Sequence, residues 1–270
     1  MKLSEKRLSV LRALATKKGR RKYGLFLASG VRVIDEAVKA GLQIQYLAVA
    51  PSELTAPGRE FLDTLTGQHM FEISAKDMAR IDRAQTPQGI LAVIEIPQPR
   101  TSLETLKSDS ILALDSISDP SNLGAIFRSA LAFGFGDVLL SRDCAELYSP
   151  KVIRASAGAV FHLNTLTDSD LTEDLPMLKS RHCAVYGTDK VGTNIEKLQT
   201  GDSRLCLVIG NEARGISPAV TAWCDEVVRI PMSGRCESLS APVAAGIVMY
   251  EVSKRAPINS NRRNIGRHKS

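Results

Sequence analysis

The 270-residue sequence has no apolar run approaching the roughly 18 residues of a membrane-spanning helix, and its opening stretch MKLSEKRLSVLR lacks an apolar segment of the secretory type. A cytosolic protein is expected. Five cysteines (Cys144, Cys183, Cys206, Cys224, Cys236) are odd in number, scattered and never spaced C-x-x-C. That argues against a disulfide framework and against a zinc site, and leaves reduced thiols in or near strands. The four histidines (His69, His162, His182, His268) fall into no ligand spacing, so no metal centre is indicated. Gly134-Phe135-Gly136 closes a helix instead of opening one and lacks a third glycine, and neither G-x-x-x-x-G-K-[ST] nor G-x-S-x-G occurs. A nucleotide-binding oxidoreductase is disfavoured on that ground. Internal repeats and low-complexity segments are also missing.

What is present is an ordinary globular composition, 44% hydrophobic and 24% charged with a mean hydropathy of −0.04, on a chain long enough for two domains of roughly 100–150 residues. The net charge of +6 (pI near 9.1) is unevenly placed. Residues 1–22 hold nine basic side chains against Glu5, giving +8; residues 254–270 hold six and no acid, leaving −8 for residues 23–253. An acidic body between basic ends favours a polyanionic partner, with the ends read as solvated tails that gather it.

Short apolar runs alternate with helical patterns throughout, the mark of α/β construction. Residues 3–15 place Leu3, Leu8, Leu11 and Leu14 near one helical face. After Gly30 a helix runs to Gly41, followed by strand 44–50, helix 61–65, strand 70–73, helix 76–83 and strand 90–96. The polar stretch PQPRTSLETLKSD (97–109) reads as a linker. Beyond it, strands are expected at 111–115, 137–140, 160–163, 183–187, 205–209 and 227–230, with helices at 122–135, 170–180, 217–224 and 242–254. The expected organisation is an accessory domain 1–98, a linker 99–109, a second domain 110–256 and a basic tail 257–270.

Three segments of the second domain carry chemistry. In ALDSISDPSNLGAIFRSALAFG (113–134) a strand leads through Asp119-Pro120-Ser121-Asn122 into a helix that carries Arg128 off its apolar stripe, within reach of a phosphate. In LVIGNEARGIS (207–217) a buried strand opens onto Gly210-Asn211-Glu212 and then Gly215, at the strand end where such sheets bind ligands. In VRIPMSGRCESLSAPVAAGIVMYE (228–251) a strand and a tight loop lead to a helix begun by Ser238, Ser240 and Pro242.

In this order and at these distances the three segments resemble the SpoU/TrmH family of S-adenosylmethionine-dependent RNA ribose 2′-O-methyltransferases. KVIRASAGAVFHL (151–163) is similar to the family's segment between its first and second motifs. KKGRRKYGLFLASGVRVIDEAV (17–38) and TPQGILAVIEIP (86–97) are similar to the accessory RNA-binding domain of two-domain members. The resemblance implies a trefoil-knotted catalytic domain of the SPOUT type, preceded by a small α/β domain related to ribosomal proteins. It implies S-adenosylmethionine as methyl donor without a metal, a homodimer, and RNA as partner, ribosomal RNA above all because of the accessory domain. By the same resemblance Asn122, Arg128, Glu212 and Ser238 match the catalytic set, and Gly210, Ile230, Leu239, Gly187 and Thr188 the donor-binding set. Arg20, Arg21, Lys22, Arg128 and Arg154 are expected to contact RNA. Three departures stand out: Ser238-Leu239-Ser240 where Ser-Leu-Asn is usual, Pro242 where serine is common, and Ser29-Gly30 where Glu-Gly is frequent.

The sulfonium makes the methyl group electrophilic, so the protein must align a ribose hydroxyl and manage one proton. A guanidinium essentially never loses its proton. Arg128 is therefore expected to act with a substrate phosphate, Asn122 and Ser238 to orient the hydroxyl, and Glu212 to brace the arginine or its loop. Loss of the amide at Ser240 keeps open a methyltransferase-like protein that binds RNA without modifying it, and transfer RNA remains an alternative substrate.

Overall fold

The structure, a computed structural model, describes residues 1–82, 86–100, 102–200, 204–234 and 238–254. Cys236 and the tail expected at 257–270 lie outside these residues. Helices form where the sequence supplies a cap and an apolar stripe together. Ser4 accepts the Arg7 amide and starts α1 (Glu5–Leu14), which buries Leu8, Leu11 and Leu14. Thr16 accepts the Gly19 amide and starts α2 (Lys17–Tyr23), closed by Gly24 at φ 64°. Gly19 allows the turn between them, since a Cβ there would lie 2.0 Å from the Ala13 carbonyl oxygen. Residues 1–22 are thus no solvated tail. Their basic side chains, Lys2 apart, ride on two docked helices, and the leucines of α1 have no other place to hide from water.

The chain continues through β1 (Leu25–Ser29), α3 (Val31–Lys39), β2 (Ile44–Val49), α4 (Ala56–Thr64), β3 (Met70–Glu72), α5 (Ala75–Ile81) and β4 (Ile90–Glu95). The four strands form one sheet in the order β1-β4-β2-β3. β1, which the sequence pattern did not disclose, pairs antiparallel with β4 from Leu25 opposite Glu95 to Ser29 opposite Leu91. Thr55 caps α4 and starts it five residues earlier than expected.

A second sheet is built from β5 (Ser110–Leu114), α6 (Pro120–Phe133), β6 (Asp137–Ser141), α7 (Pro150–Ser156), β7 (Asn164–Ser169), α8 (Leu171–Ser180), β8 (Ala184–Asn194), β9 (Leu205–Ile209), α9 (Pro218–Thr221), β10 (Glu226–Arg229) and α10 (Ala241–Ser253). Its six strands lie parallel in the order β10-β8-β9-β5-β6-β7. The central β5 (SILAL) and β9 (LCLVI) are buried at every residue, as parallel strands covered on both faces must be. Asp119 accepts the amides of Ser121 and Asn122 to begin α6, and Gly134 at φ 77° ends it. Val160–Leu163 is not the strand expected. Ser149-Pro150 starts α7, Gly158 (φ 88°) breaks the chain direction, and a 3₁₀ turn at Ala159–Phe161 delivers it to β7. Of the stretch 97–109, Leu103 and Leu106 are buried around a 3₁₀ turn, Leu103–Thr105, and the Arg100 backbone bridges to Leu166 of β7.

The two sheets share one apolar core. Phe26 of β1 stacks on Tyr148 at 4.9 Å and packs against Phe161 at 5.7 Å. Beside them Arg20 Nε donates to Glu146 Oε1 at 2.8 Å, its second guanidinium arm pairs with Glu146 Oε2, and its third donates to the Leu14 carbonyl at 2.7 Å. His162 Nε2 meets Glu36 Oε2 at 2.7 Å across the same seam.

Candidate active site

The carboxyl ends of β8, β9 and β10 enclose a cavity of about 290 Å³. One wall is the loop after β9. Asn211 and Gly215 exchange backbone hydrogen bonds of 3.0 and 2.8 Å, and the Asn211 Oδ1 accepts the Ala213 and Arg214 amides. The Asn211 Nδ2 donates to the Ser116 carbonyl at 2.9 Å, tying the loop to the end of β5. Asp115 accepts the Ser217 amide at 2.8 Å and fixes the loop's far end. Gly210 sits where the loop folds back on itself: a Cβ would lie 2.2 Å from the Gly215 carbonyl carbon and the Ile216 nitrogen. Only glycine permits this approach.

A second wall comes from an irregularity in β8. Gly187 pairs with Val227 and Thr193 with Val228, so the five residues between them leave the sheet. Thr188 anchors the excursion through Oγ1 to the Val208 carbonyl at 3.0 Å, and Asp189 and Lys190 follow it along the cavity. Ile230, Ser238 and Leu239 complete the lining with α10 behind them. Asn122, in the first turn of α6, donates from Nδ2 to Glu212 Oε1 at 2.5 Å. This bond joins the start of α6 to the cavity wall across 90 residues of sequence.

Of the residues singled out in the sequence, Gly210, Glu212, Ile230, Ser238, Leu239 and Thr188 line the cavity, and Asn122 reaches it through Glu212. Gly187 does not. A Cβ there would meet the Cys224 sulfur at 2.9 Å, so the position is closely packed. Arg128 is exposed on α6 and outside the lining; Glu212 braces Asn122 and not this arginine. Arg154 stands on α7 in a small cavity with Gly30, Arg32 and Gln88 of the N-terminal unit. Arg21 and Lys22 are exposed on α2, whereas Arg20 is 3% exposed and engaged with Glu146, which removes it from the RNA contacts expected. The sequence pattern assigned no role to Asp115, Ser116, Asp189, Lys190 or Arg214. Asn211 had a signal, a carboxamide in a four-residue turn between glycines. The β8 excursion had none.

The backbone amide of Asn122, with Lys151 beside it, holds the Asp119 carboxyl below its ordinary range. Burial pushes the Cys183 and Cys224 thiols up to about 11 and the Cys206 thiol well above its usual value. Cys144, Cys183, Cys206 and Cys224 are free. Among the described residues no helix is long and apolar enough to cross a membrane.

Residues 109–250 match the model of the SpoU rRNA methylase family, and residues 6–92 match an MRM3-like substrate-binding domain. The chain is 30% identical over 240 residues to the 23S rRNA (guanosine(2553)-2′-O)-methyltransferase RlmP of Bacillus subtilis, covering 88% of this chain and 92% of that one. Among solved structures it resembles the SpoU methyltransferase AviRb of Streptomyces viridochromogenes in complex with AdoMet, with TM-score 0.82 and 28% identity over 93% of this chain and 98% of AviRb. It also resembles an AdoMet-bound rRNA methyltransferase of Sinorhizobium meliloti, with TM-score 0.80 and 26% identity over 94% and 96% of the two chains.

Proposed function

Because the chain belongs to the SpoU rRNA methylase family, and so is an RNA ribose 2′-O-methyltransferase that uses S-adenosylmethionine, we propose that its acceptor is an unpaired nucleotide of large-subunit ribosomal RNA. The trefoil-knotted SPOUT class of its second domain comes with that membership. The observation that carries the reading is the Asn122–Glu212 hydrogen bond, which ties the start of α6 to the cavity wall at the strand ends. The ribosomal preference is supported by the 23S RNA acted on by the relative RlmP and by the substrate-binding domain at residues 6–92.

The cavity suits the donor. Its wall turns at Gly210, where a side chain would strike the Gly215 backbone and force the loop open, and its surface mixes backbone groups with the apolar Ile230 and Leu239, as in small-molecule sites generally. When bound there, the donor supplies a methyl group made electrophilic by its sulfonium. Gly210, Ile230, Leu239 and Thr188 hold it. Glu212 fixes the orientation of the Asn122 amide, leaving the amide oxygen to accept the acceptor hydroxyl's proton in a hydrogen bond, and Ser238 faces the same space. Arg128, always charged, would pair with a phosphate of the acceptor strand and so position the ribose hydroxyl. Ser240 begins α10 without a side-chain cap bond, its carbonyl accepting the Ala244 amide at 3.0 Å. Mapping ribose methylation across ribosomal RNA from cells with and without the protein tests the acceptor; one large-subunit position should lose its methyl group, and an unchanged map would refute the assignment. In vitro, Arg128→Ala should slow single-turnover methylation by about a hundredfold with donor binding intact. Near-normal turnover would remove Arg128 from the mechanism.

The protein acts in the cytoplasm as a homodimer through α6 and α10. α10 is apolar around its whole circumference, the pattern of a helix covered on every side. Yet Val243, Ile247 and Tyr250 on it, and Leu131 on α6, are exposed in the single chain. Light scattering should return twice the 29.3 kDa chain mass; a one-chain mass would contradict this arrangement.

A further inference from the structure

A second cavity, of about 370 Å³, opens where the N-terminal unit, residues 96–100 and the edge strand β7 meet. Four cationic side chains from three parts of the chain face it: Lys17 and Arg21 on α2, Arg100, and Arg142 after β6. None of the four is in an ion pair among the described residues. Arg142 Nε only reaches the Asp168 carbonyl oxygen at 3.5 Å. Of the two carboxylates lining the cavity, Glu146 is neutralised by Arg20, so Asp168 alone stands against four positive charges. The floor is apolar, with Leu42, Ile96 and Phe161, and with a Tyr148 ring held in place by its stacking on Phe26.

The cavity's place matters as much as its lining. Ser141, in its wall, accepts the Ser116 amide at 2.9 Å through Oγ, and the Ser116 carbonyl accepts the Asn211 side chain of the donor cavity at 2.9 Å. Ser116, at φ 61°, therefore links the walls of the two cavities. We propose that the second cavity holds an unpaired nucleotide of the same RNA strand that carries the acceptor ribose, its base on the apolar floor and its flanking phosphates against Lys17, Arg21, Arg100 and Arg142. This rests on RNA being the substrate, as argued above. A cationic rim over an aromatic and aliphatic floor is the general solution for single-stranded nucleic acid, tolerant of base identity. Four cations around one opening exceed what a lone monophosphate would require and suit a strand that passes through.

The test uses the full-length protein and a mixed-sequence single-stranded RNA of about 20 nucleotides carrying 4-thiouridine. In Arg21→Gln/Arg142→Gln the dissociation constant at about 0.1 M salt should rise about tenfold, and the slope of log affinity on log salt should fall by about 1.4, at about 0.7 for each phosphate no longer neutralised. Donor affinity by calorimetry should stay within about twofold of the parent, which shows that the variant is folded. Irradiation of the parent should crosslink RNA to residues 140–148 or 160–168. The control Lys76→Gln/Arg80→Gln, on α5, should weaken binding by less than about threefold. An equal effect in the control, an unchanged salt slope, or crosslinks confined elsewhere would overturn the proposal. Suppression of the cavity crosslinks by millimolar uridine or adenosine monophosphate while RNA remains bound would make the occupant a free nucleotide and also overturn it. The two readings fail separately. Parental crosslinks without any ribosomal RNA methylation would strike the acceptor assignment and leave the cavity standing, whereas methylation by the double variant at the parental KM for RNA would strike the cavity alone.

Discussion

Replacing Arg20 with methionine should destabilise the protein, although its surroundings in the sequence mark it as one more surface cation. Its side chain is 4% exposed, against 23% for Glu146, and it satisfies both carboxylate oxygens together with the Leu14 carbonyl. Arg20→Met leaves Glu146 charged and unpaired in the seam between the two sheets. Breaking a buried pair from one side costs about 3–5 kcal/mol. Partial hydration of Glu146 places the value near the lower end, about 3 kcal/mol, after discounting for its exposure. At roughly 2 °C per kcal/mol for a chain of this size, the midpoint of thermal unfolding should fall by about 6 °C. Differential scanning calorimetry on the parent, Arg20→Met and Arg20→Met/Glu146→Leu measures it. The double variant should recover most of the loss, because replacing both partners by apolar groups removes the stranded charge. The deficit of the single variant should persist at high salt, since a buried pair is poorly screened. A midpoint within about 1 °C of the parent, accompanied by weaker RNA binding, would refute the reasoning and return Arg20 to the surface role its neighbours suggest.

Two further outcomes can be checked with the same protein. Gly210→Ala forces a Cβ to 2.2 Å from the Gly215 backbone, so the loop must open and donor affinity by calorimetry should drop more than about tenfold; a value within about twofold would mean that the loop has slack. With Cys183 and Cys224 raised to about 11, roughly one thiol in a thousand is ionised at pH 8, and iodoacetamide labelling followed by peptide mapping should show both nearly inert until the pH approaches that value. Labelling at the rate of a free cysteine would mean that the segments leading into β8 and β10 open readily.

Much was legible without coordinates because it is local. The runs SILAL and LCLVI can only be covered strands, Asp119-Pro120-Ser121-Asn122 can cap a helix through one carboxylate and two amides, and Gly210 to Gly215 can only be a turn at a strand end. The leucine stripe of residues 3–15 likewise announced a docking helix. From these patterns the sequence by itself determined the α/β class; the family followed from the resemblance of three segments in their order, and those segments meet at the cavity proposed for the donor. Tertiary structure decided what depends on neighbours remote in the chain. Arg20 and Arg21 are adjacent and chemically identical, yet one is sealed against Glu146, 126 residues away, and the other faces the interdomain cavity. Gly187, matched to the donor-binding set by resemblance, packs closely against Cys224 outside the cavity lining, and the five-residue excursion of β8 begins just after it. Ser116 drew no attention as a serine after a strand, but its amide and carbonyl join two cavities. Hydrophobic periodicity and capping act over one or two turns of chain, whereas the environment that sets a side chain's charge, exposure or partner is assembled from segments whose meeting leaves no mark in any one of them.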